Sequence, residues 1–252
     1  MAKHDLSFLL PVMNAAGSLG FTPDLHGSLD WSRFGAFITN PISLLPRTPA
    51  HGMRFIDYPG GFLLHTGYPN PGLTHVQRQH ARHWQHAPVL VIVHLLGGSP
   101  EELSTMTRRL ENMEGVSGLE VGFPYEADSG MVSACLQAAS GELPVIAQLP
   151  PERSMELALL AIQAGAAMVS LSAPRGLLPT PGGELVQGRL FGPAVFPAAL
   201  KAVSRLAQLG IPTIGRGGIY AQEHVIAMQK AGAVAVQLDS VLWRAAGYRI
   251  LT

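Results

Sequence analysis

The chain has 252 residues, 47% hydrophobic and only 13% charged, with 17 basic residues against 17 acidic ones. A charged fraction so far below the roughly 25% of soluble domains commits most of the chain to buried elements and excludes a disordered or tail-like protein. Balanced charge leaves no global field to draw in nucleic acid or an anionic membrane surface, and no apolar run approaches the ~18 residues of a membrane span.

From the start, MAKHDLSFLLPVMNAAG has a short apolar stretch without a small-residue cleavage pattern, which reads as an unexported, cytoplasmic protein. FLLPVMNA and GAFIT are strand candidates, set in a Pro- and Gly-rich region that reads as elaborated, poorly helical loops as far as residue 87. Within it THVQRQHARHWQH groups His75, His80, His83 and His86 without an HExxH or paired cysteines, and reads as a polar connection before the next strand rather than a metal site.

From Pro88 onward the pattern becomes regular. PVLVIVHL is a buried strand. It is followed by a helix in SPEELSTMTRRLENM with Ser99 as N-cap, Pro100 at its first position and Glu102 at N3. The alternation recurs in GLEVG and GMVSACLQAAS, then PVIAQL and SMELALLAIQAG, then AMVSLS and, after a long insertion, FPAALKAVSRLAQLG. PTIG, AQEHVIAMQKAG and VAVQL close the series. The lone Cys135 falls among small residues of one helix and reads as a buried side chain.

Six strands here and two upstream make eight in a βα series, which predicts an α/β fold of the closed (β/α)8 TIM-barrel type in a single domain, 1–252. Only twelve residues follow Ser240, so the last helix is shortened and an open flank is expected to invite self-association or a partner subunit.

In such a barrel chemistry sits at the carboxyl ends of the strands. His94 ends the third strand facing that ring. In GRGGI, after strand seven, Gly217 and Gly218 would let backbone N–H groups approach an anion, with Asp239-Ser240 as the matching turn after strand eight; a tight turn needing positive φ is the plainer alternative. Arg216 is the cation nearest Asp239 in sequence, and Arg175 is a candidate anion ligand.

Six segments in order, PVMNAAGS, GAFITNPISLLPRTP, GYPNPGL, GGSPEEL, GRLFGPAVFPAALKAV and IGRGGIYAQEHVIAMQKAGAVAVQ, resemble the FMN barrels of the dihydroorotate dehydrogenase family. The resemblance implies an FMN flavoprotein oxidoreductase. Ala15, Ala16, Gly17 and Gly192 would line the flavin, and Gly217, Gly218 and Ser240 would hold its phosphate. Asn70 and Ser172 would meet a small planar carboxylated or cyclic-amide substrate.

The chain is also a divergent member of that pattern. Asn40 and Gln148 stand where the family has flavin-contacting lysines; amides keep hydrogen bonds but not the positive charge that stabilises a reduced ring. The family's Cys or Ser base is absent from GFPYEADSG, leaving Tyr125, Glu126 and Ser129 as proton-transfer candidates. Dihydroorotate itself is therefore not expected as substrate. Two alternatives stay open: a non-catalytic barrel that has lost its flavin and serves as a binding or assembly subunit, and a flavin-free enzyme acting on a phosphorylated metabolite.

Overall fold

A computed structural model describes residues 6–244. Eight parallel strands close a barrel: β1 (Val12–Asn14), β2 (Ala36–Ile38), β5 (Leu90–Leu96), β6 (Val116–Gly122), β7 (Val145–Leu149), β8 (Met168–Leu171), β11 (Thr213–Arg216) and β12 (Ala235–Leu238). Closure is made by β1, which pairs with β2 on one side and with β12 on the other. The TIM barrel anticipated from the strand count is the fold observed.

Five helices follow barrel strands in the βα manner: α2 (Pro100–Glu111), α3 (Ser129–Ala139), α4 (Ser154–Gln163), α5 (Phe196–Gln208) and α6 (Gln222–Lys230). The start of α2 is the one its sequence specifies. Ser99 accepts the Glu102 amide at 3.2 Å, and Pro100 occupies the first turn, where a missing N–H costs nothing.

Two features of the first 87 residues correct the sequence expectation. The His-rich segment is a helix, α1 (Leu73–Gln85), not a polar connection. Its charged residues hide a buried stripe of Leu73, Val76 and Trp84, which has helical spacing, and the Trp84 indole donates to the Phe21 carbonyl at 2.8 Å. Upstream of α1, β3 (Phe55–Tyr58) and β4 (Gly61–Leu64) form a hairpin.

The long insertion after β8 is also a hairpin, β9 (Arg175–Pro179) with β10 (Leu185–Phe191). Because β10 also pairs with β4, the two hairpins merge into one antiparallel sheet ordered β3-β4-β10-β9. This sheet roofs the carboxyl end of the barrel. After β12 there is only a short 3-10 turn, Ser240–Trp243; the remainder of the anticipated short last helix lies outside the described residues.

Strand alternation sorts the interior into layers. Met13, Ala36, Ile38, Ile92, Ile146, Ile214 and Ala235 form one buried apolar cluster. Two residues further along the strands, His94, Glu120, Gln148, Ser170, Arg216 and Gln237 form a buried polar layer. The larger apolar cluster lies between the strands and the helices, and includes Phe37, Val91, Leu103, Leu136, Leu157 and Val203.

Candidate functional site

The polar layer converges on one carboxylate. Glu120, with no solvent exposure, takes His94 Nδ1 at 2.7 Å and Gln148 Nε2 at 3.2 Å on Oε2, and Ser170 Oγ at 2.7 Å and Gln237 Nε2 at 2.6 Å on Oε1. Burial by itself raises a carboxyl pKa, but the hydrogen bonds from His94, Ser170 and Gln237 outweigh it and hold Glu120 below its ordinary value. Sequence reasoning missed Glu120, although a lone charge inside the apolar run GLEVG, on the parity of the inward-facing Gly122, is a readable signal.

Above this layer the cleft under the roof has two lobes, of about 240 and 250 Å3, that share Leu64, Thr66, Tyr68 and Arg189. Such sizes suit a small ligand in each lobe or one larger ligand across both. The first lobe lies toward β5, β6 and the hairpin β9–β10, and is lined among others by Tyr125, Glu126, Arg175 and Arg189. A narrower extension of about 40 Å3 runs down to His94, Gln148 and Ser172. Gly122 keeps that extension open, since a Cβ there would stand 2.8 Å from His94 Nε2. His94 turns Nδ1 to Glu120, which leaves Nε2 beside Gly122 at the cavity floor.

The second lobe lies toward β1, β2 and β12, and is lined among others by Ala16, Gly17, Asn40, Arg216, Asp239 and Trp243. Ala15 behaves differently from Ala16 and Gly17: its amide donates to Leu238 at 2.7 Å and its carbonyl accepts the Ser18 hydroxyl at 2.6 Å. Asn40 lines the lobe while its Oδ1 accepts the Gly20 amide at 3.2 Å.

Asp239 faces this second lobe. Its Oδ1 accepts the Ser240 amide at 2.6 Å, and its Oδ2 lies 3.9 Å from Arg216 Nε, too far for a hydrogen bond. That buried Nε has no hydrogen-bond partner among the described residues. Burial raises the Asp239 carboxyl above its ordinary range, with Arg216 offsetting part of the effect. The Ser240 hydroxyl is engaged by the Tyr220 hydroxyl at 2.9 Å. Gly217 and Gly218 have φ of +114° and +66°, and a Cβ on Gly218 would meet the Phe196 amide nitrogen at 2.6 Å. Close packing against the start of α5 thus requires these glycines whatever else they hold.

Of the remaining sequence candidates, Tyr125 and Glu126 line the first lobe, whereas Ser129 is an exposed residue at the start of α3. Ser172 lines the extension over His94. Asn70 is buried with its amide used internally, accepting from the Ser43 and Gly72 amides and donating to the Ser43 hydroxyl and the Tyr68 carbonyl. It fixes the turn that presents Tyr68. Gly192 packs against the roof, where a Cβ would meet the Gly60 carbonyl oxygen at 2.4 Å. Arg175 lines both the first lobe and the extension, beside an arginine the sequence reading passed over, Arg189.

A family model described as dihydroorotate dehydrogenase matches residues 3–250. Among curated proteins, the chain is similar to the dihydroorotate dehydrogenase B (NAD(+)) catalytic subunit of Geotalea daltonii, with 30% identity covering 95% of this chain and 88% of that one. It is 31% identical to the same subunit of Citrifermentans bemidjiense, over 91% of this chain and 82% of the relative.

Proposed function

The chain belongs to the dihydroorotate dehydrogenase family, and from that premise we propose that it is a cytoplasmic FMN-dependent oxidoreductase acting on a small planar carboxylated or cyclic-amide substrate other than dihydroorotate. The observation that carries this reading is the two-lobed cleft with the buried His94–Glu120 pair at its floor.

The second lobe suits the flavin. Ala16 and Gly17 line it as the family pattern has them, Asn40 lines it where the family has a lysine, and the unpartnered Arg216 Nε is a buried donor that an acceptor on the cofactor would satisfy. Gly217, Gly218 and Ser240 are the residues that would hold the phosphate. Arg216 would supply the positive charge that Asn40 and Gln148 cannot. When bound, FMN supplies a two-electron acceptor for hydride.

The chain's own residues then handle substrate and proton. Tyr68, Tyr125 and Ser172 bound the substrate lobe, and β4 and β10 of the roof sheet supply one of its walls through Leu64, Gly188 and Arg189. His94 accepts the substrate proton at Nε2, and the Glu120 carboxylate beside Nδ1 stabilises the imidazolium that forms. This dyad replaces the missing Cys or Ser base. Tyr125 and Glu126 stand higher in the same lobe as secondary proton-transfer candidates. The relatives named above are catalytic subunits, which supports assembly with a second subunit or with another copy of this chain.

Purified protein carrying the absorbance bands of oxidised flavin, or acquiring them on incubation with FMN, is the expected result. Colourless protein that takes up no FMN would overturn the reading in favour of the non-catalytic barrel. With flavin bound, anaerobic addition of dihydroorotate should bleach it little or not at all. Light scattering should give a mass at least twice that of one chain, either alone or with the co-purifying subunit.

A further inference from the structure

Arg175 and Arg189 are directly opposite each other across the antiparallel pair β9–β10. Directly opposed residues on one face of such a pair have Cβ atoms about 5 Å apart, and like charges placed so are destabilising. Both residues line the first lobe of the cleft. Among the described residues no carboxylate forms an ion pair with either one.

Each guanidinium is held by an aromatic ring instead. Arg189 lies 4.1 Å from the centre of Tyr68, with its Nη2 donating to the Thr66 hydroxyl at 3.1 Å, and Arg175 lies 5.2 Å from the centre of Tyr125. Aromatic faces orient a guanidinium without neutralising it, so both forks keep donors for a third party. Burial, with Arg216 and Arg175 nearby, pulls Arg189 below its ordinary value, although a guanidinium stays charged. Two like charges set opposite each other over a cavity, one of them desolvated and neither neutralised, leave an anion's place between them.

We propose that Arg175 and Arg189 form a clamp that grips a carboxylate of the substrate, with the substrate's flat ring against Tyr68 and Tyr125. The clamp names the acidic group within the substrate class proposed above and rests on that reading for the redox chemistry alone; its binding step stands by itself. A planar fork matches a carboxylate in two parallel hydrogen bonds, and a ring acid fixed in this way lies over the extension that ends at His94. Asn70 acts one step removed, by setting the turn that carries Tyr68.

Calorimetric titration tests the clamp with pyridine-2-carboxylate, benzoate and orotate as ring acids, pyridine-2-carboxamide as the neutral counterpart, and inorganic phosphate as a non-ring anion. At least one ring acid should bind, and the amide and phosphate should bind at least 10-fold more weakly. Arg189→Met and Arg175→Met should each weaken the acid roughly 10- to 100-fold, and Arg189→Lys should not restore it. Thermal unfolding supplies the control for folding. Each Met variant should melt at the same temperature as the parent or higher without ligand, because a like-charge pair has been relieved, and should lose the rise in melting temperature that the acid gives the parent.

Ring-acid binding unchanged in both Met variants overturns the clamp, as does phosphate binding in preference to every acid. Loss of binding in variants that melt well below the parent also overturns it, since the arginines would then be structural. Arg-dependent acid binding by protein that takes up no FMN keeps the clamp while the flavoprotein reading fails. FMN uptake with no acid binding does the reverse.

Discussion

Glu120 and Asp239 are both buried carboxylates in one barrel, yet their surroundings push them in opposite directions. Glu120 has four donors and is held low, so its contribution to stability is present above its ordinary value of 4.5 and is lost as pH falls through the lower folded value. Glu120→Gln removes the charge that these four donors are arranged around and should cost about 3 kcal/mol, read as a drop in denaturation midpoint at neutral pH. The variant should also flatten the acid limb of the stability profile. Asp239 is raised by burial, so its contribution is present below its ordinary 3.8 and is lost as pH rises through the higher folded value. Asp239→Asn keeps an acceptor for the Ser240 amide and should melt higher than the parent at pH 7, with the gap closing in acid. The same change should tighten FMN uptake, because the negative charge facing the second lobe is gone. Asp239 and Arg216 could be paired from their positions at neighbouring strand ends. Arg189 could not be foreseen, because its partner Arg175 lies fourteen positions away across a hairpin hidden in a Gly- and Pro-containing insertion.

Regular βα units were legible because each writes its own local signals, such as the Ser99 cap and the apolar strand that precedes it. Elements that depend on distant partners were not. β3 and β4 are only four residues each, β3 has no buried residue and β4 buries only Phe62 and Leu63, and β10 becomes a central strand of the roof only by meeting β4, more than a hundred residues earlier in the chain. Helix α1 was masked by its histidines, since the buried positions Leu73, Val76 and Trp84 are outnumbered by polar ones. The joint between roof and barrel depends on Gly192, at φ +120° with the Gly60 carbonyl at its back. Gly192→Ala should cost at least 1–2 kcal/mol, measured by chemical denaturation, because both the dihedral and the contact oppose a methyl group.

The two sheets of the molecule differ in how well they are protected. Four barrel strands, β2, β7, β11 and β12, are buried at every position and the other four at all but one or two, whereas β3 and β9 have exposed and half-buried residues throughout. Hydrogen exchange should therefore find roof amides opening at low free energy while barrel amides exchange only through global unfolding. A ligand in the cleft should slow the roof selectively. Equal protection in both sheets would show that the roof is as rigid as the barrel.

Of the three tryptophans, Trp31 and Trp84 are 6% and 1% exposed, whereas Trp243 is 49% exposed at the edge of the second lobe. Its indole nitrogen donates to the Ser18 carbonyl at 2.8 Å, and its ring lies about 6 Å from those of Phe62 and Phe191. One fluorophore thus reports on the ligand space while two report on the packed interior. Red-side emission should be quenched when a flavin or other aromatic ligand enters the lobe, and the blue-shifted emission of the buried pair should persist. The protein therefore carries an optical gauge of its own occupancy that needs neither label nor turnover.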